Sequence, residues 1–367
     1  RGLRDWLGFT LEPAHVEPYV RYCQSQDDAA RKRTRLQYSE FARKRTVSDR
    51  RLRELAVRGV PPENRPHMWL VWSGASDLRA QHDAGYYSVM SSQVDSPGHR
   101  SAATVQIRKD LARTFPTHPL FQNQGVLDQL YRILAVFALR HPKVGYCQSM
   151  NFVAGFILLF LREEDAFWVF SVVVEKLVPN YFTPDLFNAR VDLRTVEDLA
   201  GLRMRHVVRH LKALSIELTQ ANTVQWFLCL FVGVLPASSC ARVFDDFLCR
   251  GRDTLYAAAL GILKLNEERL MRATSYEEVY SLLRDLPQTM FDGNALLKVG
   301  HAELRAVAAD KLVSFQRNVT RDMEQVVKER QLRILAHTTT FSQADLEGLY
   351  IQFRNAVHDV GLPAEGR

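Results

Sequence analysis

Residues 127–161 read LDQLYRILAVFALRHPKVGYCQSMNFVAGFILLFL, and this stretch decides the fold class. Leu127, Leu130, Ile133, Leu134 and Phe137 recur every three or four positions, the spacing that lines one face of a helix. His141-Pro142 then stops the pattern, because proline lacks an amide hydrogen and its ring collides with the preceding turn. Residues 152–161 follow as an apolar run of 10, and 224–235 as a second of 12. Both fall short of the roughly 20 residues a membrane-spanning helix needs, so both are read as buried helices.

Working outward, the same period returns through residues 192–218, and Ser275 with Glu278 forms a capping-box pattern that opens a further helix. No alternating strand pattern competes, and no repeat of 30 to 45 residues of the solenoid kind is visible. The expectation is an all-α protein with a sizeable core, since 367 residues can hold one large domain or two to three ordinary ones. Linker composition is found at 91–101, with Pro97-Gly98, and after Ile334, where His337 and the threonines 338–340 interrupt a long charged helix. A helical pattern resumes over 342–357 with no acidic calcium loop after it, so no metal is assigned there.

Charge is unevenly spread. Residues 31–58 hold eleven Arg or Lys against three carboxylates, a local +8 in a chain whose total is +7. Such a block suits an anionic membrane face or an acidic partner, and equally a solvated helical arm. Nucleic acid is not expected, because neither interleaved aromatic residues nor a zinc-finger or RNA-recognition signature accompanies the charges. Five cysteines at irregular spacing argue against a disulfide framework and for a reducing compartment. No signal or targeting pattern follows Arg1, so the expected setting is the cytosol. His206 and His210 have the spacing of a zinc helix but lack its glutamate, and with Arg205, Arg209 and Lys212 around them they are read as a solvated basic face.

Three short stretches carry candidate chemistry. Residues 58–69, RGVPPENRPHMW, place prolines at a turn and begin a helix on which Trp69 and Trp72 share a face. In 107–116, IRKDLARTFP, Asp110 and Arg113 are i,i+3 neighbours just before a chain-turning proline. The carboxylate can hold the arginine while it projects from a helix end, although a plain structural ion pair fits the same spacing. In 145–155, GYCQSMNFVAG, Ser149 is expected as the N-cap of the buried helix, leaving Gln148 in the loop at its positive end. An amide there can position a water beside a phosphate; it can also be simply a surface residue.

Taken in order and spacing, these stretches resemble the TBC domain of Rab GTPase-activating proteins. The resemblance runs through RGVPPENRPHMW (58–69), an IxxDxxR pattern (107–113) and a YxQ pattern (146–148). It continues in VQWF (224–227) with Pro236 and in RVFDDFL (242–248), so it covers about 200 residues. Ser149 stands where the family usually has glycine and Phe244 where it usually has tryptophan; neither change removes a reacting group.

The resemblance implies an all-α, two-lobed multi-helix domain over residues 55–336, with signatures inside 58–251, a basic helical extension at 1–54 and a helical tail at 337–367. It also implies a GTPase-activating protein that supplies an arginine finger, Arg113, and a glutamine finger, Gln148, to a GTP-bound Rab-family small GTPase. Asp110, Tyr146 and Asn151 would support them. That division of labour agrees with what the sequence lacks: no GxxxxGK[ST] loop, kinase glycine loop or metal constellation is present, so GTP and Mg are expected on the partner and no cofactor on this chain. Two other readings stay open, a Rab-binding adaptor without catalysis and a membrane-surface scaffold using 31–58.

Overall fold

The computed structural model describes residues 2–26, 59–94, 101–183, 185–219 and 223–338, with isolated positions in 32–57 and 341–352. Most of the basic block 31–58 and of the tail after 338 therefore lies outside the described residues. Two compact units divide the chain, Arg1–Leu312 and Val313–Arg367. The sequence reading puts its last boundary at 336/337.

Among the described residues every regular element is helical, and only two isolated β-bridges occur. The first helices are α1 (Pro13–Ser25), α2 (Arg65–Ser73), α3 (Ala75–Ala80), α4 (Tyr86–Val94) and α5 (Ala102–Leu111). Then come α6 (Gln124–Arg140), α7 (Met150–Leu158), α8 (Glu163–Val172), α9 (Phe187–Arg203), α10 (Arg205–Ala213) and α11 (Val224–Leu228). The remainder are α12 (Ala237–Arg250), α13 (Asp253–Leu265), α14 (Glu267–Arg272), α15 (Tyr276–Asp285), α16 (Gly293–Arg305) and α17 (Ala309–Thr338). No helix among them is long and apolar enough to cross a membrane.

The expected stripe on α6 is in place, with Leu130, Ile133, Leu134 and Phe137 buried and Leu127 half-buried. Its C-terminal half is buried on further sides too, because α4, α5, α7 and α8 all pack against it. A second group forms around α13, which lies against α16 at very short range: a Cβ on Gly300 would stand 1.8 Å from the carbonyl oxygen of Ala257. Only glycine permits that approach. Ser275 accepts the amide of Glu278 as expected, while the Glu278 carboxylate returns to Thr274 instead of Ser275.

Helix α2 bridges the two groups. From it, Arg65 reaches Asp245 on α12 through Nε at 2.9 Å and Nη2 at 3.0 Å, and the Trp69 indole donates to the same carboxylate at 2.8 Å. Phe244 packs on Trp69 and Phe156 at 5.7 and 5.1 Å between ring centres.

Two expectations are corrected. The run 224–235 is not one buried helix: α11 ends at Leu228, and Leu230, Phe231 and Gly233 then turn the chain through positive φ. The side chains of Leu230 and Phe231 are buried all the same, and burial without amphipathic period cannot tell a helix from a compact apolar turn. The stripe over 192–218 is two helices, broken at Met204, whose φ of −131° leaves the helical region.

Candidate functional site

Helix α5 begins with a reciprocal cap: Thr104 donates its amide to the Ser101 hydroxyl, and Ser101 donates its amide to the Thr104 hydroxyl. One buried carboxylate, Asp110, organises its other end. Its Oδ1 accepts from Arg113 Nη2 at 2.9 Å and from Gln106 Nε2 at 3.1 Å. Its Oδ2 accepts the Tyr146 hydroxyl at 2.7 Å. Asp110 is 2% exposed, whereas the Arg113 side chain is 44% exposed, so the guanidinium is held on one edge and open on the rest.

Tyr146 shares its proton, more weakly, with Asn151 Oδ1 at 3.2 Å. Asn151, fully buried on α7, donates to Thr114 Oγ1 at 2.8 Å, and Thr114 donates to the Asp110 backbone carbonyl, also at 2.8 Å. These bonds form a closed ring from Asp110 through Tyr146, Asn151 and Thr114 back to Asp110. It ties the turn that presents Arg113 to the loop that presents Gln148. Burial, helped by the Asp110 carboxylate, pushes the Tyr146 phenol well above its ordinary range and keeps it a donor.

Gln148 is exposed, two residues beyond Tyr146. The loop is set by Gly145 at φ 58° and Ser149 at φ 91°. Ser149 does occupy the N-cap position of α7, but its side chain caps nothing in the helix. A left-handed backbone costs an L-residue about 1–2 kcal/mol, which is the physical reason glycine suits this position. Gly155 permits the close approach of α7 to the arginine turn: a Cβ there would meet Thr114 Cγ2 at 3.1 Å and Phe115 Cε2 at 3.3 Å.

All five residues singled out from the sequence thus fall on two neighbouring segments, four of them inside one hydrogen-bonded network. Two further members, Thr114 and Gln106, were not anticipated, nor was the close packing that Gly155 permits. Gln106 lies one helical turn before Asp110 and was findable by spacing; the Thr114–Asn151 contact spans 37 positions and was not. The histidines of α10 take separate partners, His206 the Glu267 carboxylate and His210 the carbonyl of Ala273.

A helical domain that presents an anchored arginine beside a strained glutamine loop defines a class, and comparison with known proteins gives it a family. A model of the Rab-GTPase-TBC domain matches residues 62–271, and the chain belongs to that family. The human small G protein signaling modulator 3 is 32% identical over 321 residues, covering 82% of this chain and 42% of that protein. A TBC domain-containing protein of Schizosaccharomyces pombe is 33% identical over 272 residues, covering 73% of this chain and 34% of that one. The chain thus spans about two fifths or less of these relatives' lengths. Among solved structures, the Chlamydomonas flagellar RabGAP TBC domain superposes with a TM-score of 0.70 at 27% identity, covering 82% of this chain and 99% of that one. The Ypt/Rab-GAP domain of Gyp1p shares the fold, with a TM-score of 0.63 at 18% identity over 75% of this chain and 97% of that one.

Proposed function

We propose that this chain accelerates GTP hydrolysis by a GTP-bound Rab-type small GTPase, inserting Arg113 and Gln148 into a nucleotide site whose GTP and Mg the partner holds. The observation that carries this reading is the ring around Asp110, which fixes an exposed arginine and an exposed glutamine loop to one frame. In phosphoryl transfer the protein's contribution is positioning and neutralising charge that builds on the phosphate oxygens. A guanidinium spreads its charge and donates two parallel hydrogen bonds, which an ammonium cannot do. Gln148 orients the attacking water. Because Arg113 is already held by Asp110, docking gives up less of the roughly 2 kcal/mol of rotamer freedom that a free arginine carries.

Supplying an arginine in trans is worth roughly 10³ to 10⁵ in rate for related GTPases, about 4–7 kcal/mol. The test is phosphate release from a panel of GTP-loaded Rab proteins. With the best substrate, Arg113→Ala and Arg113→Lys are each expected to lower kcat/KM at least a hundredfold with the fold intact; retention of most activity by Arg113→Ala overturns the assignment. The basic block 31–58 is proposed to attract an acidic partner or an anionic membrane face.

A further inference from the structure

The segment before α1 folds into a small closed loop. Asp5 accepts the amides of Leu7 and Phe9 on one carboxylate oxygen at 3.0 and 2.9 Å, and its own amide donates to the Phe9 carbonyl at 2.9 Å. Gly8, at φ 96°, makes the turn and lies so close to His118 that a Cβ would stand 3.1 Å from its Nε2. His118 is 2% exposed; its Nδ1 accepts the Leu120 amide, which leaves Nε2–H to donate to the Leu7 carbonyl at 2.8 Å. Phe9 meets Phe115 edge-on, 5.2 Å between ring centres and 89° between planes, and sits 4.6 Å from the His118 ring.

Phe115 is the second residue after Arg113 and holds a left-handed backbone, φ 48°. For a bulky side chain that conformation persists only when the surroundings over-determine it. Thr114 is fixed by Asp110 and Asn151, and the Phe115 ring is boxed by Phe121, Phe152 and Phe9. Phe9 lies outside the matched segment 62–271, so family membership says nothing of this wall. A cleft of about 220 Å³, lined by Phe9, Phe115, Phe156 and Phe291 among others, runs beside the contact. A turn released by loss of the Phe9 ring therefore has room to move.

We infer that residues 3–11 are a strap that sets the arginine turn, with Phe9 as a positioning residue that acts on Arg113 through Phe115. This rests on the proposed GTPase-activating role only for its kinetic consequence. The experiment compares wild type, Phe9→Ala, the milder Phe9→Leu and the conservative Phe9→Tyr in the full chain. Two readouts are taken: stimulated hydrolysis resolved into kcat and KM, and hydrogen exchange of the amides of residues 111–118.

Phe9→Ala is expected to lower kcat tenfold or more with KM within twofold and to raise exchange locally at 111–118. Phe9→Leu is expected to fall between, and Phe9→Tyr to restore both readouts. Wild-type kcat and unchanged local exchange in Phe9→Ala and Phe9→Leu overturn the strap, as does a loss confined to KM. A wild-type chain that stimulates no GTPase overturns the proposed function instead. Exchange then decides the strap alone: faster local exchange in Phe9→Leu supports it, and unchanged exchange refutes it.

Discussion

Tyr146→Phe removes one oxygen from the centre of the ring and leaves the aromatic ring's packing in place. The lost bond is a 2.7 Å contact to a carboxylate that is 2% exposed, and Asp110 keeps Arg113 and Gln106 as partners. A hydrogen bond to a charged group contributes about 1.5–3 kcal/mol, so unfolding in urea should become easier by that amount. If the bond holds the arginine turn and the glutamine loop in register, the same energy appears in the transition state, as a fall in kcat of roughly 10- to 100-fold at 1.36 kcal/mol per decade. KM should stay within about twofold, since no group meeting the partner's surface is removed. Because the ring acts as a unit, Asn151→Ala added to Tyr146→Phe should cost less than the sum of the two single changes. An unchanged urea midpoint together with wild-type kcat would refute the coupling, leaving the two segments as independent features that merely lie close.

The origin of the glutamine can be tested directly: changing the GTPase's own switch glutamine to leucine should spare much of the stimulated rate, whereas Gln148→Ala should remove most of it with little loss of binding. The reverse pattern means Arg113 acts alone. Burial, reinforced by the carboxylates of Asp245, Glu163, Asp110 and Asp192, raises the phenols of Tyr38, Tyr87, Tyr146 and Tyr181 above their ordinary 10.0. A raised folded-state value gives stability that is complete below the unfolded value and lost as pH climbs through the folded one, so the urea midpoint should hold to about pH 9.5 and fall beyond about pH 10. Reversing the charges of Arg43, Lys44 and Arg45 should slow association and flatten its salt dependence without altering the rate at saturating partner. Equal association rates at about 50 and 300 mM salt, before and after the reversal, would return the block to a solvated face.

What the sequence disclosed followed from how far each interaction reaches along the chain. Helix α6 was legible because its apolar face repeats with the helical period and His141-Pro142 ends it. The run 224–235 misled because its residues are almost all apolar, and a turn through Leu230 and Phe231 buries side chains as fully as a helix does. Asp110, Arg113, Tyr146, Gln148 and Asn151 were picked out by likeness to a family pattern, and the structure adds that four of them share one network. Thr114 and Phe9 stayed hidden because their partners lie 37 and about 106 positions away, and a strap as short as residues 3–11 shows no period.

The signature at 58–69 and the one at 242–248 lie about 180 positions apart, yet Arg65, Trp69 and Asp245 make them two halves of a single clasp. That clasp touches neither Arg113 nor Gln148. The contacts that join these two signatures are therefore separate from the network that holds Arg113. A sister sequence that kept Arg65, Trp69 and Asp245 while losing the arginine at 113 would keep the clasp, and under the proposed mechanism it would lose the rate that Arg113 supplies. Within such a lineage shape alone does not report activity, and the residue at position 113 has to be read in each member separately.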